Sequence, residues 1–233
     1  MTKKLYRDIF FDLDHTLWDF ETNSLETLNE IFDKHALKAA GMPDANTFIE
    51  VYHRHNHRLW SDYRRGEILK EDLRINRFKL CLNEFDIHSQ PLIEAIANDY
   101  VSISPTKTNL FPHTLEVLDY LGAKYRMHII TNGFEEVQFT KLRHSGLMNY
   151  FTEVITSEDA GATKPNPAIF GYALKRSGAK AETSIMIGDD EETDIKGAKQ
   201  AGMDQVLFDV TDNQQGSLAT YRITSLDQLT HIL

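Results

Sequence analysis

At 233 residues the chain exceeds the ~100–150 of a typical domain, so one large domain or a core carrying an insert is expected. Its 41% hydrophobic and 26% charged residues are ordinary for a globular protein, and a net charge of −10 disfavours nucleic-acid polymers and anionic membranes as partners. Cys81 is the sole cysteine, which excludes an intramolecular disulfide and fits a reducing compartment.

The N-terminal stretch is too short and too charged for a signal segment, and no run approaches the ~18 apolar residues of a membrane span, so a soluble, cytoplasmic protein is expected. Residues 8–13 form a short apolar run ending in acids, which predicts the first strand. The pattern then turns helical. Leu25, Leu28, Ile31 and Phe32 recur at helical spacing, as do Phe48, Val51, Tyr52, Leu59 and Trp60, and further helices are expected near residues 70–85 and 90–102. Cys81 lies in an apolar helical stretch and reads as a buried, inert thiol.

Beyond Pro105 and Pro112 the rhythm changes to strand–helix–strand. Strands are predicted over residues 127–131, 153–156, 184–187 and 205–208, with helices over 135–145, 167–176 and 194–201. Short apolar strands alternating with helices predict an α/β fold, a Rossmann-like parallel sheet with helices on both faces. The expected division is an α/β core of residues 1–17 and 105–233, interrupted by an all-helical insert at 18–104.

Four polar sets fall at, or just beyond, the ends of these strands. Asp12 and Asp14 share one side of an extended strand, and carboxylates so close repel unless a cation lies between them. Oxygen ligands at this density suit Mg²⁺; strand-end turn residues or a helix cap are the alternative. Thr131-Asn132-Gly133 offers a hydroxyl, an amide and a backbone turn to phosphate oxygens, although ordinary turns use the same residues. Lys164-Pro165-Asn166-Pro167 opens a helix and sets the approach of a lysine to an acidic site, or leaves it exposed before the helix. Asp189, Asp190, Glu191, Glu192 and Asp194 follow Gly188; helix-dipole interactions account for Glu191 and Glu192 better than for Asp189.

In this order, the four sets resemble the motifs of the haloacid dehalogenase-like hydrolase superfamily, subfamily I, with a helical (C1-type) cap between the first two. The resemblance implies a Mg²⁺-dependent phosphatase with Asp12 as nucleophile and Asp14 as general acid/base, the latter presenting its backbone carbonyl to the metal. It implies that Thr131, with Asn132, binds phosphate, that Lys164 holds the charge, and that Asp189 completes the metal shell. Asp194 is then an outer or water-mediated partner, while Asp190 is an extra ligand or a bystander. Two departures stand out: His15 replaces the usual Gly, and Asp190 stands where Ser or Asn is common. Superfamily members that dehalogenate lack an acid at the position of Asp14, so phosphate chemistry is favoured over carbon–halogen cleavage.

Specificity is expected in the insert. Asn56, Trp60 and Tyr63 fall at spacings of four and three, an aromatic face beside an amide that suits a nucleobase or simply packs the helices. Trp18 and Phe20 follow the nucleophile loop and are candidates for the pocket mouth. His53, His55 and His57 cannot share one helical face and read as a polar surface rather than a zinc site. The segment from Asn56 to Ile68, the run Ile129–Phe134 and Ser145-Gly146-Leu147 resemble the noncanonical pyrimidine 5′-nucleotidase branch. That implies a nucleoside monophosphate as substrate. The alternatives are a sugar phosphate or other small metabolite, through a phosphoglycolate phosphatase-like or phosphoglucomutase-like enzyme, or a non-catalytic sensor of phosphorylated ligands.

Overall fold

The computed structural model describes residues 5–211 and 217–233. The chain opens on β1 (Asp8–Phe11), every residue of which is buried. Four helices follow: α1 (Phe20–Lys34), α2 (Ala45–Arg64), α3 (Lys70–Asn83) and α4 (Gln90–Ile103). Next come α5 (Thr114–Gly122), β2 (Arg126–Thr131), α6 (Glu135–His144), β3 (Glu153–Thr156), the single turn α7 (Ser157–Ala160) and α8 (Pro167–Ser177). The remaining strands are β4 (Ser184–Gly188), β5 (Asp204–Phe208) and β6 (Tyr221–Ile223).

All neighbouring strands pair in parallel, in the order β3-β2-β1-β4-β5-β6. Parallel sheets need both faces covered, and the side-chain alternation shows how this is met. Ile9 and Phe11 point into a cluster with Val117, Leu118 and Leu121 of α5 and Leu142 of α6. Phe10 points the other way, against Ile169, Phe170 and Ala173 of α8. The result is the expected α/β layer architecture.

Two compact units divide the chain. The sheet and its helices form one, running to Phe20 and resuming at Thr108; residues 21–107 form the other. Within the helical unit, Leu28 and Ile31 of α1, Phe48 and Tyr52 of α2, Phe78 and Cys81 of α3 and Ile96 and Tyr100 of α4 share one apolar interior. Tyr52 lies at its centre, with ring centroids 5.0 Å from Phe78 and 5.3 Å from Tyr100. Asp44 caps α2, its carboxylate accepting from the Thr47 N–H at 2.8 Å. Cys81 is buried as expected, and burial pushes its thiol up to about 12. Among the described residues, no helix is long and apolar enough to cross a membrane.

Candidate active site

The central strands β2, β1 and β4 lie side by side, so their carboxyl ends bring Thr131, Asp12 and Asp189 to one edge of the sheet. Open α/β sheets bind ligands at this edge. Strand β1 stops at Phe11, two residues short of the expected end, although the Asp12 N–H still donates to Ile187 O at 2.9 Å. The chain then coils: Leu13 O accepts from the N–H groups of Thr16, Leu17 and Trp18. His15 takes the left-handed conformation this turn requires, with φ of 61°. That accounts for glycine being usual at this position, and histidine is among the side chains that tolerate it.

Lys164 is the electrostatic centre of the site. Its Nζ lies 2.7 Å from Asp12 Oδ1 and 2.6 Å from Asp194 Oδ1, and the residue is 2% exposed. Burial works against its charge most strongly, but Asp12 and Asp194 outweigh that and hold it as an ammonium. The helix after it begins as expected, with Pro167 in the first turn and Asn166 Oδ1 accepting from the Ala168 N–H at 3.0 Å. Asp12, Asp189 and Asp194 place carboxylate oxygens within 4.8 Å of one another. Burial is the main force raising all three above the ordinary carboxylate range, and Asp189 is pushed up to about 8.

The Asp14 side chain faces a different pair of partners. Lys141 Nζ donates to its Oδ1 at 2.5 Å and Gln138 Nε2 to its Oδ2 at 2.9 Å. Burial raises its pKa, but the Lys141 ammonium and these two hydrogen bonds prevail and hold it below the usual carboxylate range. Thr131 Oγ1 accepts from the Gly133 N–H at 3.1 Å and from Gln138 Nε2 at 2.6 Å, which leaves its own O–H to donate. Neither Gln138 nor Lys141 was among the expected site residues.

Several of the expected residues have other partners in the structure. The Asn132 side chain pairs with the Lys164 backbone: Oδ1 accepts from the Lys164 N–H at 2.7 Å, and Nδ2 donates to Lys164 O at 3.1 Å. Asn132 therefore clamps the Lys164 backbone. Asp190 is a cap; its Oδ1 accepts from the Glu192 and Thr193 N–H groups at 2.9 and 2.8 Å. The turn it caps, Glu191–Lys196, is a π-helix that begins earlier than the expected helix. Asp194 is fully buried, with Oδ1 on Lys164 and Oδ2 accepting from the Asp190 N–H at 3.2 Å. Trp18 is buried beneath the Lys141 Nζ, which sits 4.2 Å from its ring centroid. In the helical unit Asn56 is buried and accepts from Arg77 Nη1 at 3.3 Å, so its acceptor is engaged inside that unit. Trp60 and Tyr63 stay half-buried and pack edge to face at 5.7 Å. His55 is paired with Glu84 at 2.6 Å, in keeping with a polar surface.

Gly188 makes room for this arrangement. A Cβ there would lie 2.3 Å from Asp194 Oδ2 and 2.4 Å from its Cγ. Because Asp194 is fully buried and fixed by Lys164, it cannot move aside without releasing the lysine. Gly188→Ala is expected to lower stability by about 1–3 kcal/mol through overpacking, and to lower kcat at least tenfold. Thermal unfolding and turnover of the same preparation check both; a variant with normal turnover shows that Asp194 does not place Lys164.

The donor set fits a divalent cation. Asp12, Asp14, Asp189 and Asp194 carry four carboxylates against the two ammonium groups of Lys141 and Lys164, an excess of two negative charges when all are ionised. Asp12 and Asp189 stand next to each other with carboxylate oxygens to offer, the hard ligands that Mg²⁺ prefers. Buried carboxylates without enough positive charge retain protons instead, which is the direction in which Asp12, Asp189 and Asp194 are shifted.

The model of the haloacid dehalogenase-like hydrolase family matches residues 9–208. The pyrimidine 5′-nucleotidase YjjG of Escherichia coli is 31% identical over 228 residues, covering 97% of this chain and 96% of its own. A glyceraldehyde 3-phosphate phosphatase of Methanothermobacter thermautotrophicus is 32% identical over 206 residues, covering 87% of this chain and 85% of its own. The magnesium-bound crystal structure of YfnB from Bacillus subtilis superposes with a TM-score of 0.89 at 28% identity, covering 99% of both chains. With a family match over most of its length and the four motif sets gathered at one sheet edge, this chain belongs to the haloacid dehalogenase-like hydrolases.

Proposed function

We propose that the protein is a Mg²⁺-dependent phosphomonoester hydrolase that works through an aspartyl phosphate on Asp12. The observation that carries this reading is the Lys164 ammonium held between Asp12 and Asp194, beside Asp189 and at the same edge as the Thr131 hydroxyl. Asp12 is the nucleophile. Its Oδ1 lies against Lys164, and its position beyond the last residue of β1 leaves the carboxylate at the open edge of the sheet. Thr131 donates its O–H to a phosphoryl oxygen, and Lys164 offsets charge on the same group as the bond to the leaving oxygen breaks. Asp14, a carboxylate in the free protein, acts as the acid once it has taken up a proton with the substrate: it gives that proton to the leaving oxygen and later takes one from the water that hydrolyses the aspartyl phosphate. Asp12 and Asp189, with the backbone carbonyl of Asp14, would hold Mg²⁺, while Asp194 secures Lys164. When bound, the metal supplies charge stabilisation to the nucleophile and the transferring phosphoryl group.

The substrate proposed is a nucleoside monophosphate, above all a pyrimidine one. Two pyrimidine 5′-nucleotidases support this, the E. coli protein and PynA of Streptococcus pneumoniae, which is 29% identical over 228 residues. A second reading, a phosphatase of small sugar phosphates, is supported by the glyceraldehyde 3-phosphate phosphatases at similar identity. The chemistry is the same in both.

Phosphate release from a panel of nucleoside monophosphates and sugar phosphates separates them. The expected result is Mg²⁺-dependent release with kcat/KM highest for pyrimidine monophosphates. A preference for triose or pentose phosphates replaces the nucleotidase reading with the second. Absence of release from every member of the panel by folded, Mg²⁺-supplied protein overturns both and favours a phospho-ligand sensor.

A further inference from the structure

Helix α6 buries the wrong kind of side chain for a packing helix. Its inward residues are Gln138, Lys141 and Leu142, with Gln138 fully buried and Lys141 4% exposed. Lysine is almost never buried without a partner, and an amide in the interior is costly unless its polar atoms are used. Only part of that cost is met by hydrogen bonds, because Gln138 Oε1 is buried with no partner. Packing does not explain these two residues; their contacts do.

Those contacts converge on two groups of the active site. Gln138 and Lys141 are three apart and share one helical face. Gln138 Nε2 bridges Asp14 Oδ2 and Thr131 Oγ1, at 2.9 and 2.6 Å, while Lys141 Nζ holds the other oxygen of Asp14 at 2.5 Å. Both carboxylate oxygens are thereby fixed, and the carboxylate is tied to the Thr131 hydroxyl. Lys141 is itself held from behind, 4.2 Å from the Trp18 ring centroid and 5.8 Å from that of Phe20. The backbone is shaped for the same bridge: a Cβ on Gly133 would lie 2.1 Å from Gln138 Nε2, so the amide reaches Thr131 and Asp14 only because residue 133 has no side chain. Sequence position hides all of this, since Asp14 and Lys141 are 127 residues apart.

We infer that Gln138 and Lys141 are positioning residues for proton transfer: together they hold the Asp14 carboxylate in register with Thr131, the hydroxyl proposed to bind phosphate. The inference rests on the assignment of Asp14 as general acid/base and goes beyond it by naming what sets its geometry. General acid–base catalysis contributes typically 10²–10⁴-fold, and a carboxylate free to swing away forfeits much of it. The loss must follow the leaving group. An alkoxide needs the proton, whereas p-nitrophenolate leaves without it.

The test compares kcat/KM of wild type, Lys141→Met and Gln138→Leu on a nucleoside monophosphate and on p-nitrophenyl phosphate, with Mg²⁺ present. Both variants are expected to lose about 10–100-fold on the alkyl phosphate, mostly in kcat, and less than about threefold on the aryl phosphate. Lys141→Arg, which keeps the charge, is expected to recover part of the alkyl-phosphate rate. An equal loss on both substrates in two folded variants, or no loss on either, overturns the inference while Asp14 keeps its role. If the wild type itself releases no phosphate from either substrate, the hydrolase reading falls first and this inference with it. Should Lys141→Met fail to fold, Gln138→Leu, which removes no charge, decides the matter alone.

Discussion

Asp12→Asn is expected to reduce phosphate release by about 10⁴-fold or more while leaving the protein folded and at least as stable as the wild type. The amide matches the carboxylate in shape, so the position beyond β1 and the backbone bond to Ile187 O are retained. What changes is charge. An amide cannot attack phosphorus, and Lys164 keeps Asp194 as its remaining carboxylate partner at 2.6 Å. In the absence of metal, Asp12 is raised above the ordinary carboxylate range, by burial first and with the nearby Asp14 adding to it, so the amide relieves crowding among buried acids. Phosphate release and thermal unfolding of the same preparation give both numbers. A further readout locates the bond: enzyme quenched during turnover and treated with borohydride is expected to carry the reduction product of an acyl phosphate at position 12, seen by peptide mass spectrometry. More than about 1% residual turnover with no modification at that position would sink the covalent reading and leave Asp12 as a metal ligand only.

Much of the site was legible in the sequence because its residues are tied to strand ends. Asp12, Thr131 and Asp189 lie just beyond or at the close of apolar runs, and once those runs pair as β2-β1-β4 the three side chains have to meet. Lys164 was readable for a related reason, since the helix-opening prolines mark where the chain returns to the edge. The features that escaped depend on tertiary contacts with no local pattern. Gln138 and Lys141 look like a solvated helical face until α6 is placed against Asp14. Asn132 sits in a turn that suits phosphate, but its amide is complementary to a single peptide unit of Lys164, an N–H and a C=O. The capping role of Asp190 was not legible, because it depends on the Glu192 and Thr193 N–H groups turning back onto its Oδ1. In the insert, spacing put Asn56 with two aromatic residues, yet one helix says nothing of Arg77 on another, which turns Asn56 inward. Strand β6 was not predicted, because three residues with a charged one at the centre give no apolar run.

Removing the metal is expected to abolish turnover, with at least about 10³-fold loss in chelator and full return on adding Mg²⁺. The same manipulation should leave a signature in stability that depends on pH, and its sign follows from Asp189. Burial first, then Asp12 and Asp190, push its carboxyl up to about 8 in the metal-free protein, against about 3.9 in an unfolded chain. A carboxyl raised in this way binds its proton more tightly when folded. Its contribution to stability is therefore complete below about pH 4 and is lost as pH rises through about 8. Metal-free protein is expected to lose melting temperature across that window. A Mg²⁺ ion held by Asp189 would take the place of that proton, so stabilisation by the cation should grow with pH over the same range, and its binding at pH 6–7 should release protons. At a hundred times its dissociation constant the cation adds about 2.7 kcal/mol, which for a chain of this length corresponds to several degrees. Thermal unfolding from pH 5 to pH 9, with chelator and with Mg²⁺, measures the effect. Melting temperatures in chelator that do not fall across this range, together with a Mg²⁺ increment independent of pH, would show that Asp189 is ionised without the metal and that the excess negative charge of the site is balanced by some other group. Asp189→Asn then distinguishes the ligand from its neighbours: the amide is expected to make the metal-free pH profile shallower, with Asp12 and Asp194 accounting for what remains, to weaken Mg²⁺ binding and to leave the Lys164 contacts to Asp12 and Asp194 in place.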